Sequence, residues 1–296
     1  MIIINKQSGQ LCNQLFLLAH LYSYSIKSGN HIFYPEFSKH CVGFSPDLLE
    51  NKINFFRLSK ISCSIVKRFF HNNSKILRLY EYLFSKTIRF KIDQLTEYIY
   101  PDLNESDKIP HPHCFFEGWA FRMHQTFSKN KDKIRHHLRF SKKLMSYSKN
   151  VRAQLGNDPV IGIHIRTGDY KNCMPQWFYS ANQYFEFGQT LFKQTGFKIM
   201  VISDDINIEF NEPWAFRHRG SAVEDLAVLS ECEFIAGPPS TFNRWAAFIG
   251  NKPHYTIYSM PGNPLIENFK HFKMLSDNYP TPTSQEIETI RWFCIA

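Results

Sequence analysis

Paired cysteine motifs are missing from this sequence. It carries seven Cys, an odd number, with no C-x-x-C pair and no Cys/His cluster at zinc spacing. That argues against a disulfide framework or structural zinc and points to a reducing compartment. Long apolar runs are missing too, so no stretch reads as a membrane span. The opening "MIIINKQSGQ" turns polar too soon for a secretory signal. There is no internal repeat and no low-complexity tract. The expectation is a cytoplasmic protein, with a peripheral place at a membrane surface also compatible. Acidic residues are scarce in the first half: residues 1–150 hold 23 Lys and Arg against 11 Asp and Glu, net +12, whereas 151–296 hold 12 against 15, net −3. Between Lys52 and Lys91 stand ten basic residues and one acid, Glu81. Such a block attracts phosphates, acidic surfaces or nucleic acid, unless it is simply a solvated helical face.

What is present suits a large folded chain. The 296 residues are 43% hydrophobic and 16% aromatic, with 28 Phe, enough for a sizeable core in two domains of ordinary size or in one large one. The chain opens with a strand, "MIIIN". A Gly-containing turn leads to a helix in "LCNQLFLLAHLYSYSIKSG", with Gly29 as its C-terminal cap, and then to a strand in "HIFYP". Residues 46–100 read as mostly helical and irregular, 102–113 as a polar connection, and "CFFEGWAF" as a strand. A helix with a break near Arg139–Ser141 follows. Further on, "PVIGIHIR", "FKIMVISDD", "EFIAGP" and "HYTIYSM" read as strands, alternating with helices in "NQYFEFGQTLFKQTG", "AVEDLAVLSEC" and "STFNRWAAFIG". Alternation of this kind implies a parallel sheet with helices on both faces. Near the end, Thr283-x-x-Glu286 forms a capping box before a last helix. The division expected is an N-terminal α/β domain, 1–150, with the basic region, and a C-terminal domain, 151–296.

Three loops fall at the C-terminal ends of predicted strands, where open α/β sheets bind ligands. In "VIGIHIRTGDY", residues 160–170, Ile161, Ile163 and Ile165 share one face of the strand, and Gly162, His164 and Arg166 the other. A cation at a strand end suits an anion; the alternative is a strand that runs out into solvent. Gly168 permits a tight turn or close backbone approach. In "GPPSTF", Ser240 caps a helix whose free N–H groups suit a phosphate. The remaining loop is "SGQLCNQ", residues 8–14.

The order and spacing of these loops resemble the fucosyltransferase superfamily, and most closely the bacterial α-1,2-fucosyltransferases. The resemblance rests on Gly9-x-x-x-Asn13-Gln14, on His164-x-Arg166-x-Gly168-Asp169-Tyr170, and on Asp225-Leu226 followed by Cys232, Ser240-Thr241-Phe242 and Trp245. It departs from the family where Cys12 replaces a usual Gly, where Gly237-Pro238-Pro239 precedes the Ser-Thr-Phe, and where Arg244-Trp245 replaces a Trp pair. The resemblance implies two Rossmann-like domains facing a cleft, the GT-B arrangement, with an acceptor-side N-terminal domain and GDP-fucose held by the C-terminal one. It implies inverting transfer to a hydroxyl of a glycan, α-1,2 to galactose, with an oligosaccharide or lipid-linked glycan as acceptor, no nucleic acid partner, no metal and no cofactor besides the donor.

Carried over residue by residue, Arg166 is catalytic, binding the β-phosphate and the glycosidic oxygen as charge develops there. His164 contacts the donor beside it. Ser240, Thr241 and Phe242 cradle the phosphates, Asp225 accepts from the guanine edge, and Gly9 and Asn13 close over the donor. Several residues have blander readings: His164 as a core histidine, Asp225 as a first-turn acid serving the helix dipole, and Asp204-Asp205 as a polar turn rather than a metal pair. Trp119, Trp177 and Phe178 could stack on sugar but equally belong in a core. Asp169 and Glu117 are the only acids near the motifs that could serve as a base. Two rival functions stand beside the transferase: a module binding nucleic acid or an acidic surface through 52–91, and a transferase fold without catalysis.

Overall fold

The structure is a computed structural model that describes residues 2–4, 9–29, 32–34, 37, 40, 43–44, 86–89, 114–117, 124–260, 262 and 264–271. The chain divides into two compact units, Met1–Ser141 with Lys273–Ala296, and Lys142–Phe272. In the first, β1 (Ile2–Ile4) leads to α1 (Leu11–Ser28), then β2 (Ile32–Phe33), β3 (Lys86–Arg89), β4 (Cys114–Glu117) and α2 (His124–His137). The strands form a parallel sheet in the order β2-β1-β4-β3. Helix α1 ends where expected, at Gly29 with φ 72°, a left-handed residue that a side chain would strain.

Strand β3 corrects the helical reading of 46–100 within that span. Thr87 and Ile88 are β-branched and suit a strand, and Thr87 lies opposite Phe115 in β4. The rest of the basic segment, the 102–113 connection, Trp119 and the Thr283–Glu286 capping box lie outside the described residues.

The second unit begins with α3 (Lys142–Ala153), followed by β5 (Val160–Ile165), a single turn α4 (Tyr170–Cys173), α5 (Ala181–Thr195), β6 (Lys198–Ser203), β7 (Ala215–Arg217), α6 (Ala222–Glu231), β8 (Phe234–Gly237), α7 (Thr241–Gly250), β9 (Pro253–Thr256) and β10 (Lys270–His271). The unit boundary falls at Ser141–Lys142, not 150/151, because α3 packs on α6 and Arg152 bonds Glu233 at 2.7 Å. Four residues without helical pattern, 138–141, separate α2 from α3 at the break read from the sequence.

The sheet order is β10-β9-β8-β5-β6-β7, parallel except for the edge strand β10. Every residue of β5 is buried, as a strand covered on both faces requires. Ile161, Ile163 and Ile165 pack with Tyr184, Phe187 and Leu191 of α5. Gly162 faces the other way, and a Cβ there would stand 2.5 Å from Leu229 of α6, so only Gly lets that helix approach. From β5 the chain winds outward through β6 and β7, then returns to lay β8 and β9 on the opposite side. The order therefore reverses between β5 and β8, and the crevice beyond their C-terminal ends is where such sheets bind ligands.

Candidate functional site

Two loops border that crevice. The one after β5 carries Arg166–Asp169, and the one after β8 carries Pro238–Ser240. Arg166 is gripped by its own loop: Nε donates to Asp169 Oδ1 at 2.8 Å and Nη2 to Oδ2 at 2.6 Å, a two-pronged pair. Its guanidinium carbon also stands 5.1 Å from the centre of the Tyr170 ring. The contact with Arg166 holds the Asp169 carboxyl below the usual range. A carboxylate so stabilised is a poor proton acceptor, which weakens Asp169 as a base.

Asp204, at the end of β6, fastens the same loop from the other side. Its Oδ1 accepts from Thr167 N at 3.0 Å and its Oδ2 from Gly168 N at 3.2 Å. A Cβ on Gly168 would lie 2.8 Å from that carboxylate, which explains the glycine by close approach. Asp205 serves its own turn, accepting from Asn207 N at 2.9 Å. The adjacent acids thus do separate loop work, as the polar-turn reading has it.

The helix across the crevice joins this cluster. Ser240 is the N-cap of α7, and its Oγ accepts from Phe242 N at 3.2 Å. Phe242 stacks on the His164 ring at 4.8 Å, with 28° between the planes. Tyr170 OH donates to Pro239 O at 2.5 Å and locks the two loops together. Burial and the positive charge of Arg166 push the His164 imidazole down to about 3, so it is neutral at ordinary pH. The structure therefore brings His164, Arg166, Ser240 and Phe242 together, with Thr241 as the first residue of α7. His164 is both a core histidine and a neighbour of the crevice.

Asp225 stands elsewhere on the unit, in the first turn of α6. Its Oδ1 lies 2.8 Å from His218 Nδ1, and His218 Nε2 lies 3.0 Å from Tyr147 OH. Its side chain is 13% exposed, its partner's 5%. Asp225 is thus a first-turn acid, as the dipole reading has it, that also pairs with His218. Arg217 pins the backbone of this corner by donating to Ser203 O at 2.9 Å and Val201 O at 3.2 Å.

Gly9 and Asn13 belong to the first unit and lie together at the start of α1. Gly9 has φ 71°, and a Cβ there would come within 2.4 Å of Asn13 Nδ2. Trp177 is buried, which favours the core reading over an exposed sugar platform, whereas Phe178 is only partly buried.

The glycosyl transferase family 11 model matches residues 70–273, which include both loops, Asp225 and all of α7. The chain belongs to glycosyl transferase family 11. Among curated relatives, galactoside alpha-(1,2)-fucosyltransferase 2 of Bos taurus is 28% identical over 127 residues, 37% of this chain and 37% of that one. The Mus musculus protein of the same name is 25% identical over 126 residues, 37% of this chain and 36% of that one. The chain thus matches little more than a third of the length of these relatives.

Solved structures are similar over more of this family 11 chain. POFUT1 in complex with GDP-fucose superimposes with a TM-score of 0.55 at 14% identity, covering 85% of this chain and 94% of that one. NodZ alpha-1,6-fucosyltransferase soaked with GDP-fucose gives 0.52 at 14%, covering 93% and 98%. A variant of Arabidopsis thaliana FUT1 in complex with GDP gives 0.54 at 12%, covering 88% and 71%. At such identities the likeness speaks for the fold alone, and that fold is the α/β GT-B class.

Three side chains of this family 11 member, Tyr147, His218 and Tyr258, escaped the reading of motifs, and Arg244 entered it only as a departure beside Trp245. Tyr147 and His218 lie 71 residues apart and meet only in the fold. Arg244 and Tyr258 meet through a 3.4 Å contact between Nη2 and the phenol oxygen. One signal was available for Arg244: it is the only charged residue in the apolar run "TFNRWAAFIG".

Proposed function

We propose that the chain is an inverting glycosyltransferase that moves fucose from GDP-fucose to a glycan hydroxyl, the 2-hydroxyl of galactose. One observation carries this: in a family 11 chain, the His164–Tyr170 loop and the Ser240-capped helix meet at the strand-order reversal of a parallel sheet. The relatives named for galactoside alpha-(1,2)-fucosyl transfer support the linkage.

In this reading the acceptor oxygen attacks the anomeric carbon and the bond to the β-phosphate oxygen breaks. The electron pair leaves with GDP, and the acceptor proton passes to a base or to water. Arg166, oriented by Asp169, meets the charge that grows on the leaving oxygen, where a fixed guanidinium acts without reorganising. The Ser240 hydroxyl and the N–H groups at the start of α7 take the phosphates. The His218-held carboxylate of Asp225 accepts from the guanine edge. The cations replace a metal in neutralising the leaving group, so activity should survive exhaustive chelation.

We place the reaction in the cytoplasm, with the basic 52–91 segment drawing an anionic or membrane-linked acceptor. Among the described residues no helix is long and apolar enough to cross a membrane. A screen of nucleotide sugars for hydrolysis or transfer tests the proposal. GDP-fucose should be consumed, and consumption of a UDP-sugar instead would reject the donor.

A further inference from the structure

The charge balance around the crevice has a gap that the motif residues do not fill. Arg166 is already matched by Asp169, and Asp204 lies close behind it. A nucleoside diphosphate joined to a sugar brings two negative charges at neutral pH. Arg166 with its two acids cannot balance these alone.

Arg244 is the second guanidinium of this cluster, and it is only 5% exposed. Among the described residues no carboxylate pairs with it. Its one described side-chain bond is the long contact to Tyr258 OH at 3.4 Å, and its buried Nη1 has no partner among the described residues. Its charge also acts on His254, whose buried Nε2 likewise has no partner among the described residues. Burial and the nearby Arg244 charge push this imidazole down to about 3, so it stays neutral and adds no second positive charge. A cation this deep without a counter-charge is costly, and sites that keep one commonly wait for an anion.

Its position says which anion. Arg244 lies one turn into α7, where its N–H donates to Ser240 O at 3.4 Å. Helical side chains lean toward the N-terminus, so the guanidinium is carried back over the Ser240 cap. It also acts, with Arg166, on the buried Tyr170 hydroxyl that bridges the two loops. The N-terminus of α7 and the Arg244 guanidinium thus belong to one element, and Arg244 shares with Arg166 an effect on the Tyr170 hydroxyl.

We infer that Arg244 is a diphosphate-binding residue of this chain, taking the negative charge that the Asp169-paired Arg166 leaves uncompensated. The inference rests on the GDP-linked donor proposed above. The ligand-free protein holds the Arg244 charge at a cost, and the bound diphosphate removes that cost.

Calorimetry and thermal melting of the full chain with GDP, UDP, guanosine and inorganic pyrophosphate test it, using wild type, Arg244→Met and Arg244→Lys. Met keeps the apolar stem and removes the charge; Lys keeps the charge and removes the fork. Arg244→Met should bind GDP about 10- to 100-fold more weakly, the loss expected for a charge-assisted bond, while its affinity for guanosine stays the same. Its ligand-free melting temperature should hold or rise. Arg244→Lys should fall between the two. A melting temperature lower by more than about 4 °C in ligand-free Arg244→Met would mark a structural side chain and overturn the inference. So would GDP affinity within twofold of wild type in that variant, or in Arg244→Lys should Arg244→Met not fold. If wild type binds pyrophosphate but discriminates nothing between GDP and UDP, the guanine donor fails instead, and the loss of pyrophosphate binding in Arg244→Met still decides the inference.

Discussion

Arg166 and Asp169 act as one unit, and their separate removal tells their roles apart. Arg166→Ala should lower kcat by about 100-fold or more while the protein stays folded, as loss of a transition-state donor does. Arg166→Lys should restore little, since the fork that grips Asp169, and in the proposed role meets the leaving oxygen, is gone. Asp169→Asn should lower kcat by about tenfold, because the guanidinium loses its grip, with the pH profile unchanged. A profile that loses its acid limb in Asp169→Asn would identify Asp169 as the base after all. The buried imidazoles give a second prediction. His164 and His254 have folded values near 3 against an ordinary 6.5, so the unfolded chain binds more protons between those limits. Their contribution to stability is present above pH 6.5 and is lost as pH falls toward 3. Urea midpoints should therefore drop across that window, and His254→Asn should flatten the slope. Residue types were legible at this scale where a motif concentrated them, as in His164–Tyr170. Pairings across the chain, such as Tyr147 with His218, were not, because nothing local in either segment depends on the other.

The strand ends are what place these side chains, and small residues set their spacing. Gly237 closes β8 where the chain turns into α7. A Cβ there would stand 2.0 Å from Asn243 Nδ2 and 3.1 Å from His164 O. Gly237→Ala should therefore push α7 away from β5 and cost about 1–3 kcal/mol, readable from urea unfolding. It should also weaken GDP binding, since Ser240 and Arg244 move with the helix. Ser240→Ala should cost about 1 kcal/mol through the lost cap, without displacing the helix. Unchanged unfolding midpoints in Gly237→Ala would mean that the junction yields more readily than its contacts indicate. Most elements of the second unit were legible because alternating strands and amphipathic helices carry strong periodicity. Strand β7 was missed, being three residues of half-buried edge with a Pro-Trp approach. Strand β3 was masked by basic and aromatic neighbours that fit helix equally well.

At the scale of the molecule, the second unit carries its own sheet, core and crevice. A fragment spanning Lys142–Phe272 should unfold cooperatively on its own, readable from urea unfolding. The charge split, +12 in residues 1–150 against −3 beyond, should matter for the acceptor rather than the donor. Neutralising Lys60, Lys67, Arg68 and Lys75 should raise acceptor KM and flatten its salt dependence, because such attraction is screened over about 8 Å at physiological ionic strength. An acceptor KM that ignores both salt and neutralisation would return the segment to a solvated face. The division at Ser141–Lys142 was not legible, because α3 follows α2 closely in a helical pattern and its packing on α6 assigns it to the second unit. The most direct measurement is release of GDP from GDP-fucose by purified protein in the presence of a galactose-terminated acceptor, with Arg166→Ala alongside. The expected result is acceptor-dependent release by wild type, a fucosylated product, and loss of both in Arg166→Ala. Release at equal rates by the two proteins, or none from GDP-fucose where a UDP-sugar is turned over, would contradict the assignment.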